Sequence, residues 1–228
     1  MRRLLLIPIV HSAADMGDAG VALAGKSAAL AGVRRWGLHQ RTVEGFWNSA
    51  TAYLNRFDAQ LLKVYQDGLP ADGQVGMRIV EEAARRGSRN YMVVLDLLSK
   101  GAELRRTEDL VLLWHERENL LTMMQPDRPT ATDAELYQSR RDQLLRERDR
   151  HIAQTISSTL KEGEIGVLFI GAHHNVAPSL ANDISVEMHW MPERVRAYFK
   201  ELFQGHDDSL LKERAEYLRS GDTTAKAR

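Results

Sequence analysis

The sequence contains no cysteine among its 228 residues. Thiolate nucleophiles, disulfide bonds and thiolate-bound metal ions are therefore excluded. The strong metal ligands that remain are histidine, aspartate and glutamate, which favour a hard or borderline cation. Any reactive site must therefore be built from imidazoles, carboxylates, hydroxyls and basic side chains.

The chain also lacks an excess of charge of either sign, because 31 lysines and arginines balance 31 aspartates and glutamates. Its few aromatic residues are not interleaved with basic ones, so the pattern predicts no nucleic-acid partner. No run approaches the roughly 20 apolar residues of a membrane-spanning helix. The N-terminal MRRLLLIPIV resembles a secretory signal, but it is short and contains a proline, which favours a first core strand. We therefore expect a cytoplasmic protein with no membrane partner.

Several specific motifs are missing as well. Ser12 follows His11, but no G-x-S-x-G pattern surrounds it, which disfavours a serine hydrolase. There is no Walker loop and no G-x-G-x-x-G pattern to hold a nucleotide. Serine hydrolases and nucleotide-dependent enzymes are therefore poor candidates.

Apolar runs alternate with segments of helical spacing along most of the chain. Crossover connections between such runs predict an α/β fold with a mainly parallel central sheet flanked by helices, plus additional helical segments. The Ala-, Gly- and Asp-rich segment 12–26 is predicted as a loop, and so is 125–132, which contains two prolines. The predicted strands are 4–10, 61–66, 167–170, 184–189 and a weak one in AELRR.

No linker divides the chain, so a single α/β domain is predicted over 1–204, with 107–162 as a candidate helical excursion. A C-terminal helix and a disordered tail are predicted over 205–228. The charged helix expected at 133–161 and this tail also suit an assembly protein or a homodimer.

Ionisable residues stand where the predicted strands end. In open α/β sheets, ligands bind outside the carboxyl ends of the strands, so these residues are candidates for metal binding or proton transfer. A purely structural reading stays open for each: Asp67 before Gly68 can begin a turn, and Glu108 is expected in the first turn of a helix capped by Thr107. The candidates are His11, Asp67, Glu108 and the pair His173 and His174.

The block ERDRHIAQTISSTLKEGEIGVLFIGAHHNV is more specific. It has an Arg-Asp pair at Arg148 and Asp149, then an apolar strand and a terminal G-x-x-H motif from Gly171 to His174. This block resembles the C-terminal half of the TraB/TIKI-like superfamily, which is related to the erythromycin esterase and ChaN-like proteins. The motif selects His174 over His173, which must point differently from its neighbour.

Weaker echoes of the same superfamily occur nearer the N-terminus. The turn PIVH places His11 in register but has Pro8 where glycine is usual. VYQDG offers Asp67 where a glutamate is normal, and RRTED places Glu108 in a related position. With these echoes, the resemblance extends from about residue 4 to residue 187.

The resemblance implies a metal-dependent hydrolase acting on a peptide, ester or similar acyl bond of a peptide or small-molecule substrate. The implied ligands of a divalent ion are His11, Asp67, Glu108 and His174. Glu108 is a ligand or general base in this interpretation, and Arg148 holds an anionic group or a developing oxyanion. Because other members bind haem or have no demonstrated catalysis, a non-catalytic haem-, metal- or small-ligand-binding protein is the alternative.

Overall fold

A computed structural model describes residues 1–10, 20–123 and 131–222 of the chain. Helices connect most of the strands in this part, as the sequence predicts. The predicted 125–132 loop falls mostly outside the described residues, as does the end of the predicted tail. The elements are β1 (Arg2–Ile9), α1 (Gly20–Ala31), α2 (Val33–Leu54), β2 (Leu62–Gln66), α3 (Gly73–Arg85), α4 (Arg89–Ser99), β3 (Glu103–Arg105), α5 (Leu110–Met123), α6 (Ala131–Thr159), β4 (Ile165–Gly171), β5 (Ile184–Met188), α7 (Pro192–Gln204) and α8 (Asp208–Ser220).

The five strands form one sheet in the order β3-β2-β4-β1-β5, and every neighbouring pair is parallel. The predicted α/β class with a mainly parallel sheet is therefore confirmed. Pro8 is tolerated in the inner strand β1 because β5 pairs no further than Leu6, two residues before it. A proline has no backbone N–H to donate to a sheet.

Helices cover both faces of the sheet, which explains why its strands are almost continuously apolar. On one face, Ile152 and Ile156 of α6 pack against Leu4 and Leu168. The other face carries the larger cluster, in which Phe46 and Trp47 of α2 are fully buried with other helices around them. Helix α6 therefore covers the face of the sheet opposite to α2.

The C-terminal helix α8 belongs to the main hydrophobic core. Leu211, Ala215 and Leu218 are buried in the same cluster as α2. The indole N–H of Trp190 donates to the carbonyl oxygen of Leu218 at 3.0 Å. In the structure, the helix that the sequence assigned to a separate C-terminal segment is continuous with the core of 1–204.

Local sequence accounts for the boundary between α3 and α4. The hydroxyl oxygen of Ser88 accepts from the backbone N–H of Tyr91 at 3.3 Å, so Ser88 caps α4. Gly87 follows the end of α3 with φ 93°, the left-handed conformation that favours glycine. These two residues separate α3 from α4.

Two sequence predictions are corrected by the structure. The segment 12–26 was expected to be a loop, yet α1 begins at Gly20, because its alanines and leucines favour a helix; residues 11–19 lie outside the described part. The helix expected from Thr107 begins instead at Leu110, capped by the carboxylate of Asp109. Glu108 therefore precedes α5 and is not in its first turn.

Within the described ranges, no helix combines the length and the apolar character that crossing a bilayer requires.

A buried histidine joins α2 to α7. The side chain of His39 is packed beside Trp36 and Phe199, and its Nδ1 is hydrogen-bonded to the hydroxyl of Tyr198 at 3.1 Å. Because burial disfavours the charged imidazolium, it lowers the pKa of His39 to about 4. The folded protein therefore holds this histidine neutral at pH values where an unfolded chain protonates it.

This lowered pKa predicts acid destabilisation in a defined range. The unfolded chain takes up a proton as the pH falls below about 6.5, whereas the folded protein does so only near its own pKa, so stability falls between them. We expect His39 to cost about 2 kcal/mol of unfolding free energy between pH 8 and pH 5. Urea unfolding of the wild type, His39→Gln and an exposed control, His206→Gln, measures it. A pH slope in His39→Gln as steep as that of the wild type would contradict this assignment.

Candidate functional site

The carboxyl ends of the parallel strands meet at one edge of the sheet, and α6 crosses that edge. Asp67 directly follows β2, and its backbone N–H donates to the carbonyl oxygen of Phe169 in β4 at 2.9 Å. Glu108 follows β3 in the sequence. The backbone N–H groups of Thr107 and Glu108 both donate to the carbonyl oxygen of Leu69, a residue that follows β2. The ends of β2, β3 and β4 are thereby held close together.

Arg148 of α6 lies at the centre of this edge, with only 6% of its side chain exposed. Its Nη2 donates to Asp67 Oδ1 at 2.6 Å and to Glu108 Oε1 at 2.6 Å. Its Nε donates to Glu108 Oε2 at 3.1 Å, and its Nη1 donates to Glu116 Oε2 at 2.8 Å. A single guanidinium therefore joins three carboxylates from three different segments.

Glu108 is the most deeply buried member, since none of its side chain is exposed. Both of its carboxylate oxygens accept from Arg148, and Oε1 also accepts from the backbone N–H of Gly68 at 3.2 Å. Burial works to lower the pKa of Arg148, but the hydrogen bond to Glu108 and the charges of Asp67 and Glu108 outweigh it and raise that pKa. The guanidinium of Arg148 is therefore positively charged.

Asp67 has a second partner in β4. Its Oδ2 accepts from the backbone N–H of Gly171 at 3.0 Å. A Cβ atom at position 171 would stand 3.3 Å from that oxygen, so the glycine gives the carboxylate its close approach to the strand end. Burial raises the pKa of Asp67, but the charges of His174 and Arg148 lower it below its usual value.

His174 is held by a carboxylate on α6. Its Nδ1 donates to Asp149 Oδ1 at 2.6 Å, and Asp149 Oδ2 accepts from the backbone N–H of Asn175 at 2.9 Å. The other ring nitrogen, Nε2, faces Asp67 Oδ2 at 3.6 Å. Burial lowers the pKa of His174, but the hydrogen bond to Asp149 and the charge of Asp67 outweigh it and raise the pKa above its ordinary value.

The structure brings together four of the residues that the sequence singled out: Asp67, Glu108, Arg148 and His174. His11 lies outside the described residues, which end at Val10 in this part of the chain. The strand before it, β1, pairs with β4 as far as Ile9, which stands opposite Gly171. His173 is exposed.

Sequence reasoning assigned no role to two further residues, Asp149 and Glu116, that contact these four. The six residues together are called the centre below. Asp149 was noted in the sequence only as part of the Arg-Asp pair. That pair was the available signal, because two neighbouring residues of one helix can both reach the same end of a sheet. Glu116 gave no signal, since it is one of several charged residues in the helix HEREN. The structure alone shows that Glu116, 39% exposed, is an ion-pair partner of Arg148.

The centre carries more negative than positive charge. Opposite its carboxylates stand the guanidinium of Arg148 and the imidazole of His174. Even when the imidazole is protonated, four negative groups face two positive ones. Charge of this sign, largely buried, favours the binding of a cation. The four carboxylates are Asp67, Glu108, Glu116 and Asp149.

The donors can be tested for their fit to a divalent metal ion. The 3.6 Å between His174 Nε2 and Asp67 Oδ2 is longer than a hydrogen bond. It is close to the spacing of about 3.4 Å expected for two ligands in a tetrahedral shell. A histidine whose other nitrogen donates to a carboxylate is the usual arrangement around a bound metal. Within the described ranges, no cluster of three or more such donors is arranged to hold a metal ion.

A cavity of about 430 Å³ lies elsewhere, beside the edge strand β3. It is lined by residues that include Asp72, Met77, Leu98 and Arg105. None of the candidate site residues contributes to its wall. The chemistry at the carboxyl edge is therefore separate from this cavity.

Comparisons with known proteins give no further guide. No protein-family model matches this chain, no curated protein matches it, and no solved structure matches it. The fold class therefore rests on the strand order described above, and an argument about function rests on the side chains of the centre.

Removal of Arg148 is expected to be strongly destabilising, because it leaves the fully buried carboxylate of Glu108 without a counter-charge. Arg148→Met should lower the free energy of unfolding by roughly 3–5 kcal/mol, and the exposed control Arg150→Met should change it little. Adding Glu108→Gln to Arg148→Met should restore part of the loss, since it removes the uncompensated charge. Chemical denaturation of the four proteins measures these differences, and equal effects of the two arginine variants would refute the buried ion pair.

Proposed function

We propose that this chain is a metal-dependent hydrolase with its reactive centre at Asp67 and His174. The observation that carries the proposal is the orientation of His174. Asp149 holds Nδ1, while Nε2 faces Asp67 Oδ2 at 3.6 Å without a hydrogen bond between them. When it is deprotonated, an imidazole fixed in this way directs the lone pair of Nε2 toward the carboxylate of Asp67. The surrounding centre is negatively charged.

His174 Nε2 and Asp67 Oδ2 would hold the divalent ion, and His11 is proposed as a third donor. His11 directly follows Val10 at the end of β1, and β1 lies next to β4 in the sheet. When bound, a divalent ion lowers the pKa of a water molecule and polarises a carbonyl oxygen. These effects suit hydrolysis of a peptide, ester or similar acyl bond.

The remaining residues of the centre act through these donors. Asp149 fixes the ring of His174 and increases the basicity of Nε2. Arg148 holds Asp67 Oδ1, which leaves Oδ2 directed at His174. Glu108, expected from the sequence as a ligand or base, is engaged through both oxygens by Arg148, so its contribution would be to position that arginine.

A small-ligand-binding protein without turnover is the second candidate, and the burial of the centre favours it. The side chains of Arg148 and His174 are each only 6% exposed. This degree of burial suits a small molecule or an ion better than an extended polypeptide. A histidine can also be an axial ligand of haem, as the sequence resemblance allows.

Metal analysis and substrate assays on the full chain test the proposal. After reconstitution with Zn²⁺ or Mn²⁺, we expect one bound ion per chain and hydrolysis of at least one ester or peptide from a substrate panel. His174→Asn keeps a donor for Asp149 but removes Nε2, so it should lose the ion and lower kcat/KM at least 100-fold. The exposed control His206→Asn should match the wild type.

Two results would count against a hydrolase. If the reconstituted wild type holds no stoichiometric ion, or if His174→Asn retains every hydrolytic activity, the proposal is wrong. A haem absorption band that His174→Asn abolishes, with no hydrolysis in the wild type, would favour the ligand-binding candidate.

The affinity for the ion should depend on pH in a definite direction. Because the pKa of His174 is raised, a proton competes with the ion at Nε2 and must leave before binding. The affinity should therefore increase with pH and continue to rise above pH 6.5, where an ordinary histidine is already neutral. Calorimetric titrations from pH 6 to pH 8.5 in buffers of different ionisation enthalpy measure both the affinity and the released proton. A constant affinity without proton release would exclude His174 as a ligand.

A further inference from the structure

Helix α5 has a defined orientation, because one of its side chains takes part in the centre. Glu116 Oε2 accepts from Arg148 Nη1 at 2.8 Å, so this side of α5 faces α6. Asn119, three residues further on, is buried on the same side. Trp114 precedes Glu116 by two positions, which is about 200° of helical rotation, so it lies on the opposite side. The contacts of α5 with the centre therefore define its outer side.

That outer side carries a stripe of large apolar residues. Leu110, Trp114 and Leu121 are 67%, 56% and 43% exposed. Their positions lie within about 40° of one another around the helix axis. Val111 and Leu120, which are also exposed, flank the stripe on its two sides. Single apolar residues are normal on a protein surface, whereas a contiguous group of this kind marks an interaction site.

The spacing of the stripe is the same in both directions along the chain. Together with Arg117, its members stand at positions 110, 114, 117 and 121, with intervals of four, three and four residues. Such intervals are those of the contact line between two packed helices. If a second copy of α5 runs antiparallel, Leu110 meets Leu121 of that copy, and Trp114 meets its Arg117. A guanidinium over an indole ring is a favourable contact, so both pairs are complementary.

The charges of the chain also suit a second copy as the partner. Arg117 is 69% exposed, and its acidic contact is the adjacent Glu118 at 3.7 Å, which is longer than a hydrogen bond. This weak contact leaves the guanidinium able to lie over a ring of another chain. The 31 basic residues balance the 31 acidic ones, so two copies carry no net charge that would keep them apart.

The exposed area matches what a dimer at the lower end of the stable range needs. The stripe, Arg117 and the two flanking residues expose roughly 600 Å² per chain, so burial in both copies removes roughly 1,200 Å² from water. Specific interfaces begin at about this total area. An interface of this size predicts a reversible dimer with a dissociation constant in the micromolar range.

We propose that the chain forms a two-fold symmetric dimer in which α5 packs antiparallel against α5 of a second copy. A two-fold interface uses the same patch on both chains, and the spacing of Leu110, Trp114, Arg117 and Leu121 provides such a patch. The dimer does not depend on the proposed hydrolase, because Glu116 and the rest of the centre lie on the other side of α5.

Sedimentation velocity of the full chain, at concentrations up to about 200 µM, tests the dimer. We expect the average mass to rise toward that of a dimer as the concentration increases. Trp114→Ala and Leu110→Asp should each weaken dimerisation at least tenfold, because the first removes the largest contact and the second buries a charge. The matched control is Leu30→Asp on α1, where the leucine is 70% exposed, and it should dimerise as the wild type does.

The absence of cysteine allows a direct test of the antiparallel arrangement. The double variant Leu110→Cys, Leu121→Cys should form covalent dimers under mild oxidation, because position 110 of one copy meets position 121 of the other. Neither single variant should do so, since its two thiols would lie about 16 Å apart along the helices, which is too far for a disulfide. Non-reducing gel electrophoresis measures the difference.

Several results would overturn this dimer. One is a mass that stays that of a monomer up to about 200 µM, and another is dimerisation that neither Leu110→Asp nor Trp114→Ala weakens. Efficient cross-linking of the single variants would show a parallel pair instead. Co-sedimentation with phosphatidylglycerol vesicles tests a lipid surface: a monomeric chain that binds them, and loses binding in Trp114→Ala, also overturns the second copy. None of these measurements involves a metal ion or a substrate, so each outcome leaves the hydrolase proposal unchanged.

Discussion

The ion pairs of Arg148 are the interaction on which the rest of the carboxyl edge depends. A carboxylate as buried as that of Glu108 is stable only beside a counter-charge, and Arg148 supplies it through two N–H groups. The same guanidinium holds Asp67 after β2 and Glu116 on α5. It therefore joins α6 to three segments that the chain brings in separately.

Two consecutive residues of α6 hold different side chains at this edge. Arg148 sets the position of Asp67, while Asp149 sets the position and tautomer of His174. The distance between Asp67 and His174 thus depends on one short stretch of one helix. This dependence explains how a centre assembled from distant segments of the chain can present two donors at a defined spacing. A functional centre of this kind needs its donors held by a second layer of hydrogen bonds.

The sequence predicted the parallel sheet and most of its strands, because buried parallel strands are apolar along their whole length. It also placed Asp67 and His174 at strand ends, where a parallel sheet must bring them to one edge. It misplaced the start of α5, because Thr107 resembles a helix cap, whereas its hydroxyl donates to the carbonyl oxygen of Gln66 and Asp109 caps the helix. It gave Glu116 no role, since an ion pair between helices leaves no periodic pattern in either.

By itself, the sequence determined the class of fold, the absence of thiolate chemistry and the edge of the sheet at which reactive groups gather. These follow from composition and from the local periodicity of apolar residues. Only the tertiary structure decided which carboxylate holds Arg148, which holds His174 and which oxygen of Asp67 faces the imidazole. Those pairings join residues far apart in the sequence, such as Asp67 and Arg148, which are 81 positions apart. Such pairings depend on how α6 packs across the sheet, and local sequence patterns carry no record of that packing.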